Sequence, residues 1–124
     1  MLVRTVVSGV CHTDLHMADG KWEIRKPAVL GHEATGMVEK VGAAVTYVQP
    51  GDRVLLAGLP FCSRCQYCLS GRPYLCRDPH LKALTEERLS WNGRPVTQYS
   101  FLSSFAEYML TSESGMVKIG RAHV

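Results

Sequence analysis

Two short stretches of the sequence combine cysteine, histidine and carboxylate side chains, the residue types from which catalytic zinc sites are assembled. Residues 11–14 read Cys-His-Thr-Asp, and residues 31–36 read Gly-His-Glu-Ala-Thr-Gly. In the second stretch, the glycines would let the backbone pass close to a metal or cofactor and then turn into a strand. The simpler interpretation is a buried histidine beside a carboxylate, with ordinary turn glycines. These residues alone leave both interpretations open.

A separate candidate metal site is a loop with four closely spaced cysteines. Cys62, Cys65, Cys68 and Cys76 follow the spacing Cys-x2-Cys-x2-Cys-x7-Cys. Four thiolates fill the tetrahedral shell of zinc and leave no open position, so this pattern predicts a structural zinc site. Such a site contributes apparent binding energy of roughly 10–16 kcal/mol at neutral pH to the ordering of its loop.

Other interpretations of the cysteine loop remain. The cysteines could be four unrelated reduced thiols. An iron–sulfur cluster matches the first three cysteines, but the last gap is seven residues and an arginine, not a proline, follows Cys76. A nucleic-acid zinc ribbon fits less well, because it needs two well-separated cysteine pairs. Arg64, Arg72 and Arg77 lie within or beside the loop and could offset the charge of the thiolates, which explains the local positive charge without nucleic acid.

The composition is that of a soluble globular protein of one domain. The chain has 124 residues, 46% of them hydrophobic and 20% charged, and its net charge of +3 does not argue for nucleic acid or a membrane surface. No apolar run approaches the roughly 20 residues of a membrane span, and the first residues lack the layout of a signal peptide. We therefore expect a cytoplasmic protein whose five cysteines are reduced, with no membrane or nucleic-acid partner.

The elements that must position these side chains are mostly strands. Composition and alternation predict strands at residues 2–10, 35–41, 53–57, 104–111 and 116–119. The strand at residues 53–57 is expected to be buried. In the strand at residues 104–111, Ala106, Tyr108 and Leu110 are expected to share one face. Many short strands and little helix predict a mainly β barrel or sandwich.

Two short helical segments and one hairpin complete the prediction. A helix through His16, capped by Thr13 or Asp14, follows the first strand, and residues 81–89 have some helical character. Asn92-Gly93 carries the signal of a tight hairpin. No strand is followed by Gly-x-Gly-x-x-Gly, so we expect no dinucleotide-binding unit within this chain.

Together these motifs resemble the catalytic domain of zinc-dependent medium-chain alcohol dehydrogenases. The zinc signature of that family, Gly-His-Glu-x2-Gly-x5-Gly/Ala-x2-small or aliphatic, is met by Gly31, His32, Glu33, Gly36, Gly42 and Val45. Residues 9–16, the cysteine loop and the closing strands also match, so the resemblance covers nearly the whole chain. It implies a GroES-like β barrel over residues 1–124, with a four-cysteine zinc lobe at 61–77 and no Rossmann domain.

The resemblance implies roles at the catalytic zinc site for four residues. Cys11 and His32 resemble two of the three ligands of the catalytic zinc. Asp14 resembles the carboxylate that orients the histidine ligand through its other ring nitrogen. Glu33 resembles the carboxylate behind the zinc that can approach or replace a ligand.

Four further residues take roles around the substrate and cofactor. Thr13 resembles the hydroxyl that hydrogen-bonds the bound alcohol, and His16 the outer end of a proton relay to water. His12 occupies the place where a basic side chain meets the cofactor pyrophosphate. Trp22 falls where the family often lines its substrate pocket, although a core aromatic is an equal alternative. The implied chemistry is hydride transfer between an alcohol or aldehyde and NAD or NADP.

The sequence also departs from the family. The third catalytic ligand of the family is a cysteine downstream of the closing strands, and all five cysteines of this chain are already assigned. The nucleotide-binding domain and an N-terminal hairpin are missing, and residues 120–124 depart from the usual continuation. We therefore expect a truncated fragment of an alcohol dehydrogenase that is inactive alone.

The alternative to a dehydrogenase fragment is a non-enzymatic zinc-binding structural or interaction module. In either case the open strand edges are predicted to associate, which would give a homo-oligomer. His80 is expected at the surface and Trp91 in the packed interior. We expect His123 to be solvated rather than to act as a third zinc ligand.

Overall fold

The computed structural model of the chain describes residues 1–79, 81 and 88–120. Its strands are β1 (Leu2–Ser8), β2 (Ala28–Val29), β3 (Glu33–Lys40), β4 (Arg53–Ala57), β5 (Leu89–Trp91), β6 (Arg94–Gln98), β7 (Tyr108–Leu110) and β8 (Met116–Ile119). Its α-helices are α1 (His12–Ala18) and α2 (Gln66–Leu69), and 3-10 turns occur at Pro73–Leu75, Tyr99–Phe101 and Glu113–Gly115. The described part of the chain is mainly β, as the sequence predicts.

The strands form two sheets. The larger sheet is antiparallel, with the order β7-β1-β3-β4-β8. The smaller sheet has the order β2-β6-β5, in which β2 runs parallel to β6. Within the described residues there is no doubly wound parallel sheet, which confirms that this part of the chain holds no Rossmann domain. None of the helices described here is long and apolar enough to cross a membrane.

The core lies on one face of the five-stranded sheet. Along β3, side chains alternate between buried and more exposed positions, as an antiparallel strand with one covered face requires. Complete burial of each aliphatic side chain of this kind contributes about 1.5–3 kcal/mol. The buried apolar residues of the core are Val3, Ala34, Val38, Val48, Val54, Leu56, Leu102, Met109 and Met116.

The expected burial of strand β4 is wrong. This strand is covered on one face only, because Val54 is fully buried whereas its neighbour Leu55 is 48% exposed. In β7, Tyr108 and Leu110 do share a face, but that face points outward and Met109 is the core residue. The predicted strand at 104–111 is also shorter than expected, since the backbone N–H groups of Ser104 and Phe105 donate to carbonyls at 31 and 30 instead of joining a ladder.

The hairpin at Asn92-Gly93 is confirmed. Asn92 and Gly93 have φ values of 50° and 75°, the left-handed pair that a tight turn between β5 and β6 requires. Trp91 lies beside this turn and is 64% exposed, so its expected place in the packed interior is wrong. Most of residues 81–89, for which helical character is predicted, lie outside the described residues, and Leu89 begins β5. His80 and His123 also lie outside the described residues.

Candidate metal centres

The two stretches that carry Cys11 and His32 meet at the end of the five-stranded sheet. Cys11 is the N-cap of α1, three residues after the end of β1, and His32 immediately precedes β3. Strands β1 and β3 pair in antiparallel register, and the N–H of Gly9 donates to the carbonyl of Glu33 over 2.8 Å. This pairing brings the donor atoms of Cys11, His32 and Glu33 within 4.8 Å of one another. A thiolate, an imidazole and a carboxylate form a donor set that suits zinc.

Asp14 connects the two halves of this site. Its side chain is buried, so its carboxylate needs hydrogen bonds in place of water. Oδ2 accepts the N–H of Cys11 over 3.0 Å, and Oδ1 accepts the N–H of Gly31, also over 3.0 Å. The N-cap residue is Cys11 rather than Thr13 or Asp14. Asp14 still caps the helix as expected, because its side chain accepts the N–H of Cys11 from the third helical position, which is one half of a capping box.

The ring of His32 is held on three sides. Its Nδ1 lies 3.3 Å from Oδ1 of Asp14, and its Nε2 lies 3.2 Å from the hydroxyl of Thr13. A carboxylate at Nδ1 favours the tautomer with the proton there, which leaves the lone pair of Nε2 available to a metal. On the third side, the ring of Tyr99 packs edge-on, with centroids 5.4 Å apart at 88°.

Tyr99 is a site residue that sequence reasoning missed. It precedes a segment with left-handed backbone at Ser100, Phe101 and Ser103, whose φ values are 50°, 60° and 55°. Such conformations cost about 1–3 kcal/mol each and persist only where surrounding contacts hold them. Here the hydroxyl of Ser100 donates to the carbonyl of residue 58, and that of Ser103 to the carbonyl of residue 29. Nothing in the local sequence signals this geometry, because its partners are distant along the chain.

The glycines that flank His32 and Glu33 serve the packing of the chain against itself. Gly31 has a φ of 91°, and a Cβ there would lie 2.7 Å from the backbone nitrogen of Phe105. A Cβ on Gly36 would lie 2.7 Å from the carbonyl oxygen of Arg4 and would collide with the side chain of Val3. Among the described residues, Gly31 and Gly36 therefore allow their backbone to approach neighbouring segments of backbone closely.

Helix α1 carries the remaining candidates of the first site. The ring of His16 lies between those of His12 and Trp22, at centroid distances of 4.6 and 5.0 Å. His12 is exposed, and Trp22 is 48% exposed, so Trp22 is not a core aromatic in this structure. The Nδ1 of His16 is buried and has no hydrogen-bond partner within the described part of the chain.

The four cysteines of the loop converge on a second centre. All four sulfur atoms lie within 4.8 Å of one another. The Sγ atom of Cys68 lies 3.8 Å from Sγ of Cys62 and 3.5 Å from Sγ of Cys65. The Sγ atoms of Cys65 and Cys76 are 3.9 Å apart. Zn–S bonds of about 2.3 Å in a tetrahedron place sulfur atoms about 3.8 Å apart, whereas a disulfide needs about 2.05 Å. The thiols are free, and their spacing suits one ion better than several irons.

Protons are unevenly distributed over these thiols. Hydrogen bonding from the backbone N–H of Cys68 lowers the pKa of Cys65 to about 6. Burial raises the pKa of Cys68 itself to about 11, with further contributions from Cys65 and Cys76. One thiolate therefore forms easily, whereas burial and hydrogen bonds with Cys65 and Cys76 keep the proton on its neighbour Cys68. A bound cation would favour the thiolate form of both.

Comparison with known proteins identifies the family of the chain. The family model described as alcohol dehydrogenase GroES-like domain matches residues 1–121. The chain belongs to this family. The mainly β architecture described above is thus that of a GroES-like domain, as the resemblance implied.

Individual relatives in the GroES-like family are alcohol dehydrogenases. An S-(hydroxymethyl)glutathione dehydrogenase from Escherichia coli O6:H1 is 39% identical over 126 residues, which cover 96% of this chain and 34% of that protein. The crystal structure of benzyl alcohol dehydrogenase from Acinetobacter calcoaceticus matches with a TM-score of 0.81 and 35% identity, over 99% of this chain and 34% of that one.

A third relative carries a nucleotide. It is a protein described as a zinc-binding dehydrogenase from Sinorhizobium meliloti 1021, bound to NADP. It matches with a TM-score of 0.67 and 31% identity, over 98% of this chain and 31% of that one. This GroES-like chain therefore spans about a third of the length of the relatives that it matches.

Proposed function

We propose that this chain is the zinc-binding part of a zinc- and nicotinamide-dependent alcohol dehydrogenase, and that the 124 residues do not turn over alcohol by themselves. The observation that carries the proposal is the convergence of Cys11, His32 and Glu33 on one point, with the buried Asp14 behind the histidine. A family relationship alone would not require these donor atoms to meet. A separate cluster of four cysteines in the same chain supports a second, structural zinc.

Within the first centre each side chain takes a distinct role. Cys11 and His32 would hold the catalytic zinc, which as a Lewis acid would favour the alkoxide form of a bound alcohol. Asp14 fixes the ring orientation and tautomer of His32. The carboxylate of Glu33 reaches the same point from β3 and is the third donor that the described residues offer there.

The neighbouring residues of α1 serve substrate and cofactor. The hydroxyl of Thr13 lies 3.2 Å from Nε2 of His32, so it is within hydrogen-bond reach of an alcohol bound beside that nitrogen. His16, on the same helix, would take the outer end of the proton relay to water. His12, exposed on the same helix, would meet the pyrophosphate of NAD or NADP, and the exposed Trp22 would line the substrate side.

The expected lack of turnover follows from what the described residues contain. Their sheets offer no parallel strand-helix unit that would bind a dinucleotide. Hydride transfer needs the nicotinamide held in line with the alcohol, because positioning supplies much of the rate. The chain covers 34% of two of these relatives, and we assign cofactor binding to the remaining part of such a protein.

Metal analysis of the purified chain tests the proposal. Two zinc ions per chain are expected, falling to one in Cys11→Ser and to one in Cys65→Ser. Assays with primary alcohols and either NAD or NADP should show no reduction above a blank without protein. Nicotinamide reduction that disappears in Cys11→Ser would refute the lack of turnover, and a zinc content that neither substitution lowers would refute the zinc assignment.

A non-enzymatic zinc-binding module is the second candidate. The observation in its favour is that the four-cysteine cluster is a complete ligand set between residues 62 and 76, independent of the first centre. This function predicts one zinc per chain, held by the cysteine loop. A content of one zinc that is unchanged by Cys11→Ser and lost in Cys65→Ser would therefore favour it over the dehydrogenase assignment.

A further inference from the structure

Ser103 lies at the junction of two segments that meet at His32. It is 3% exposed, so its hydroxyl has to be paired by the protein rather than by bulk water. The hydroxyl donates to the carbonyl of Val29 over 2.8 Å and accepts the backbone N–H of Tyr99 over 3.0 Å. One oxygen atom therefore joins the stretch of chain that leads into His32 to the residue whose ring packs against that histidine.

Backbone hydrogen bonds continue this junction up to the histidine. The N–H groups of Phe105 and Ser104 donate to the carbonyls of Leu30 and Gly31, each over 3.0 Å. Together with the hydroxyl of residue 103, these bonds hold each of residues 29–31, the three that immediately precede His32. The backbone position of this histidine is thus set by the 103–105 segment as well as by its own strand β3.

Tyr99 is held by both of its backbone groups. Its N–H is bound by the hydroxyl of Ser103, and its carbonyl accepts the N–H groups of Leu102 and Ser103 over 3.1 and 3.0 Å. Its ring lies edge-on to that of His32, with centroids 5.4 Å apart. Contacts at the two nitrogens of an imidazole leave it free to rotate about the line that joins them. A ring packed edge-on limits this rotation and so fixes the tilt of the imidazole.

We propose that Ser103 is a positioning residue of the first metal centre, and that its single hydroxyl fixes both the backbone before His32 and the ring of Tyr99 beside it. The inference rests on the proposed function, because it concerns the centre formed by Cys11, His32 and Glu33. Ser103 is not itself a candidate ligand, so its effect reaches the centre through the histidine and the tyrosine.

The left-handed backbone of Ser103, with a φ of 55°, offers a rival explanation. On that explanation only the shape of the turn matters and the hydroxyl is incidental. Two substitutions separate these roles, because alanine and glycine both remove the hydroxyl, whereas glycine adopts a positive φ without steric cost. If the hydroxyl matters, Ser103→Gly is as impaired at the metal centre as Ser103→Ala. If only the turn matters, Ser103→Gly behaves like the parent.

The first test is cobalt binding to the purified chain after its cysteine loop has been filled with zinc. The absorption of a cobalt–thiolate complex reports the first centre, and Cys11→Ser should abolish it. We expect Ser103→Ala and Ser103→Gly each to weaken cobalt binding about 10-fold, the lower end of the effect of removing an outer partner of a metal ligand. Ser112→Ala is the matched control and should stay within about twofold of the parent, because among the described residues that hydroxyl bonds only within the turn before β8.

A double-mutant cycle tests whether Ser103 acts through Tyr99. Tyr99→Leu removes the ring that packs against His32. The loss of cobalt affinity in Tyr99→Leu/Ser103→Ala should fall short of the product of the two single losses, because both substitutions disturb the same imidazole. A double variant that shows the full product would mean that the two residues act independently, which would overturn the proposal.

A second test needs no metal. The ring current of Tyr99 shifts the NMR signals of the His32 ring protons, and this shift should shrink in Ser103→Ala and in Ser103→Gly but not in Ser112→Ala. A parent that binds no cobalt at the first centre would refute the proposed function, and the NMR comparison would still decide the role of Ser103.

Two further results would overturn the proposal. One is an affinity of Ser103→Gly equal to that of the parent, and the other is an unchanged shift of the His32 ring protons in both Ser103 variants. Far-UV circular dichroism shows whether each variant is folded. If Ser103→Ala is not, Ser103→Gly takes its place in the comparison with Ser112→Ala and in the double-mutant cycle.

Discussion

The carboxylate of Asp14 lies 3.3 Å from Nδ1 of His32, and this contact connects helix α1 to the start of strand β3 across 18 residues of sequence. The same carboxylate binds the backbone N–H groups of Cys11 and Gly31. One buried side chain therefore sets the separation of the two candidate ligands and the orientation of one of them.

Replacement of Asp14 by asparagine should damage both the fold and the first metal centre. Asparagine keeps the shape but removes the charge and presents an amide group where acceptors are needed, so we expect a loss of about 1–3 kcal/mol in the free energy of unfolding. Cobalt or zinc affinity at Cys11 and His32 should fall about 10- to 100-fold. Chemical denaturation and metal titration measure the two effects. Asp19→Asn, on an exposed residue at the end of the same helix, is the control and should change neither.

Gly36 should not tolerate a methyl group. A Cβ at this position would collide with Val3 and lie 2.7 Å from the carbonyl oxygen of Arg4 on the paired strand β1. Backbone cannot give way as a flexible side chain can, so Gly36→Ala should cost about 1–3 kcal/mol. Gly42→Ala is the matched control, since a Cβ there meets nothing within 4 Å. Urea unfolding of both variants checks this, and equal midpoints would contradict the packing of β1 against β3.

The contact between Lys118 and Asp52 should make stability depend on pH. The hydrogen bond from Lys118 over 2.8 Å is the largest cause that lowers the pKa of Asp52, followed by the N–H of Gln49. The pKa of Asp52 is lower in the folded protein than the unfolded value of about 3.9, so its contact with Lys118 stabilises the fold fully above about pH 3.9. This stabilisation is lost as the pH falls through the folded pKa. Lys118→Met should therefore be less stable than the parent at pH 7, and the difference should shrink as the pH falls below the unfolded value and through the lower folded pKa of Asp52.

Stability is measured for Lys118→Met and for the parent at each pH. Loss of metal at low pH affects both proteins alike, so the difference between them reports the ion pair alone. Lys40→Met, at the exposed end of β3, removes the same charge without an ion pair among the described residues. A difference between parent and Lys118→Met that stays constant across this acidic range would argue against the contact as its cause.

The outer face of strand β8 should promote self-association. Among the described strands, β8 is an end strand of the five-stranded sheet, and Val117 on it is 57% exposed. Leu55, its partner in register on β4, is also exposed, so an apolar surface lies next to an open strand edge. We expect dimers or larger species at high protein concentration, and Val117→Lys should shift them toward monomer. Sedimentation velocity measures this, with Leu69→Lys on the cysteine lobe as control. A parent that stays monomeric at all concentrations would exclude association at this edge.

Local patterns carried much of what could be predicted. The spacing of Cys62, Cys65 and Cys68 restricts how these thiols can be arranged, since cysteines separated by two residues can readily reach one tetrahedral ion. The turn at Asn92-Gly93 and most strand positions likewise follow from preferences of the residues themselves. For the first metal centre, the sequence named Cys11 and His32 through a resemblance rather than through spacing.

Tertiary structure alone decided which faces and which distant partners these residues have. The alternation along β7 is visible in the sequence, whereas residues 54–57 form a continuous apolar run. Only the packing of the sheet shows that Val54 and Met109 point inward while Leu55 and Tyr108 do not. The edge-on contact of Tyr99 with His32 depends on segments distant in sequence, as does the approach of Glu33 to Cys11. A short stretch of chain sets its own torsions and ligand types, whereas burial and convergence depend on how all the strands pack together.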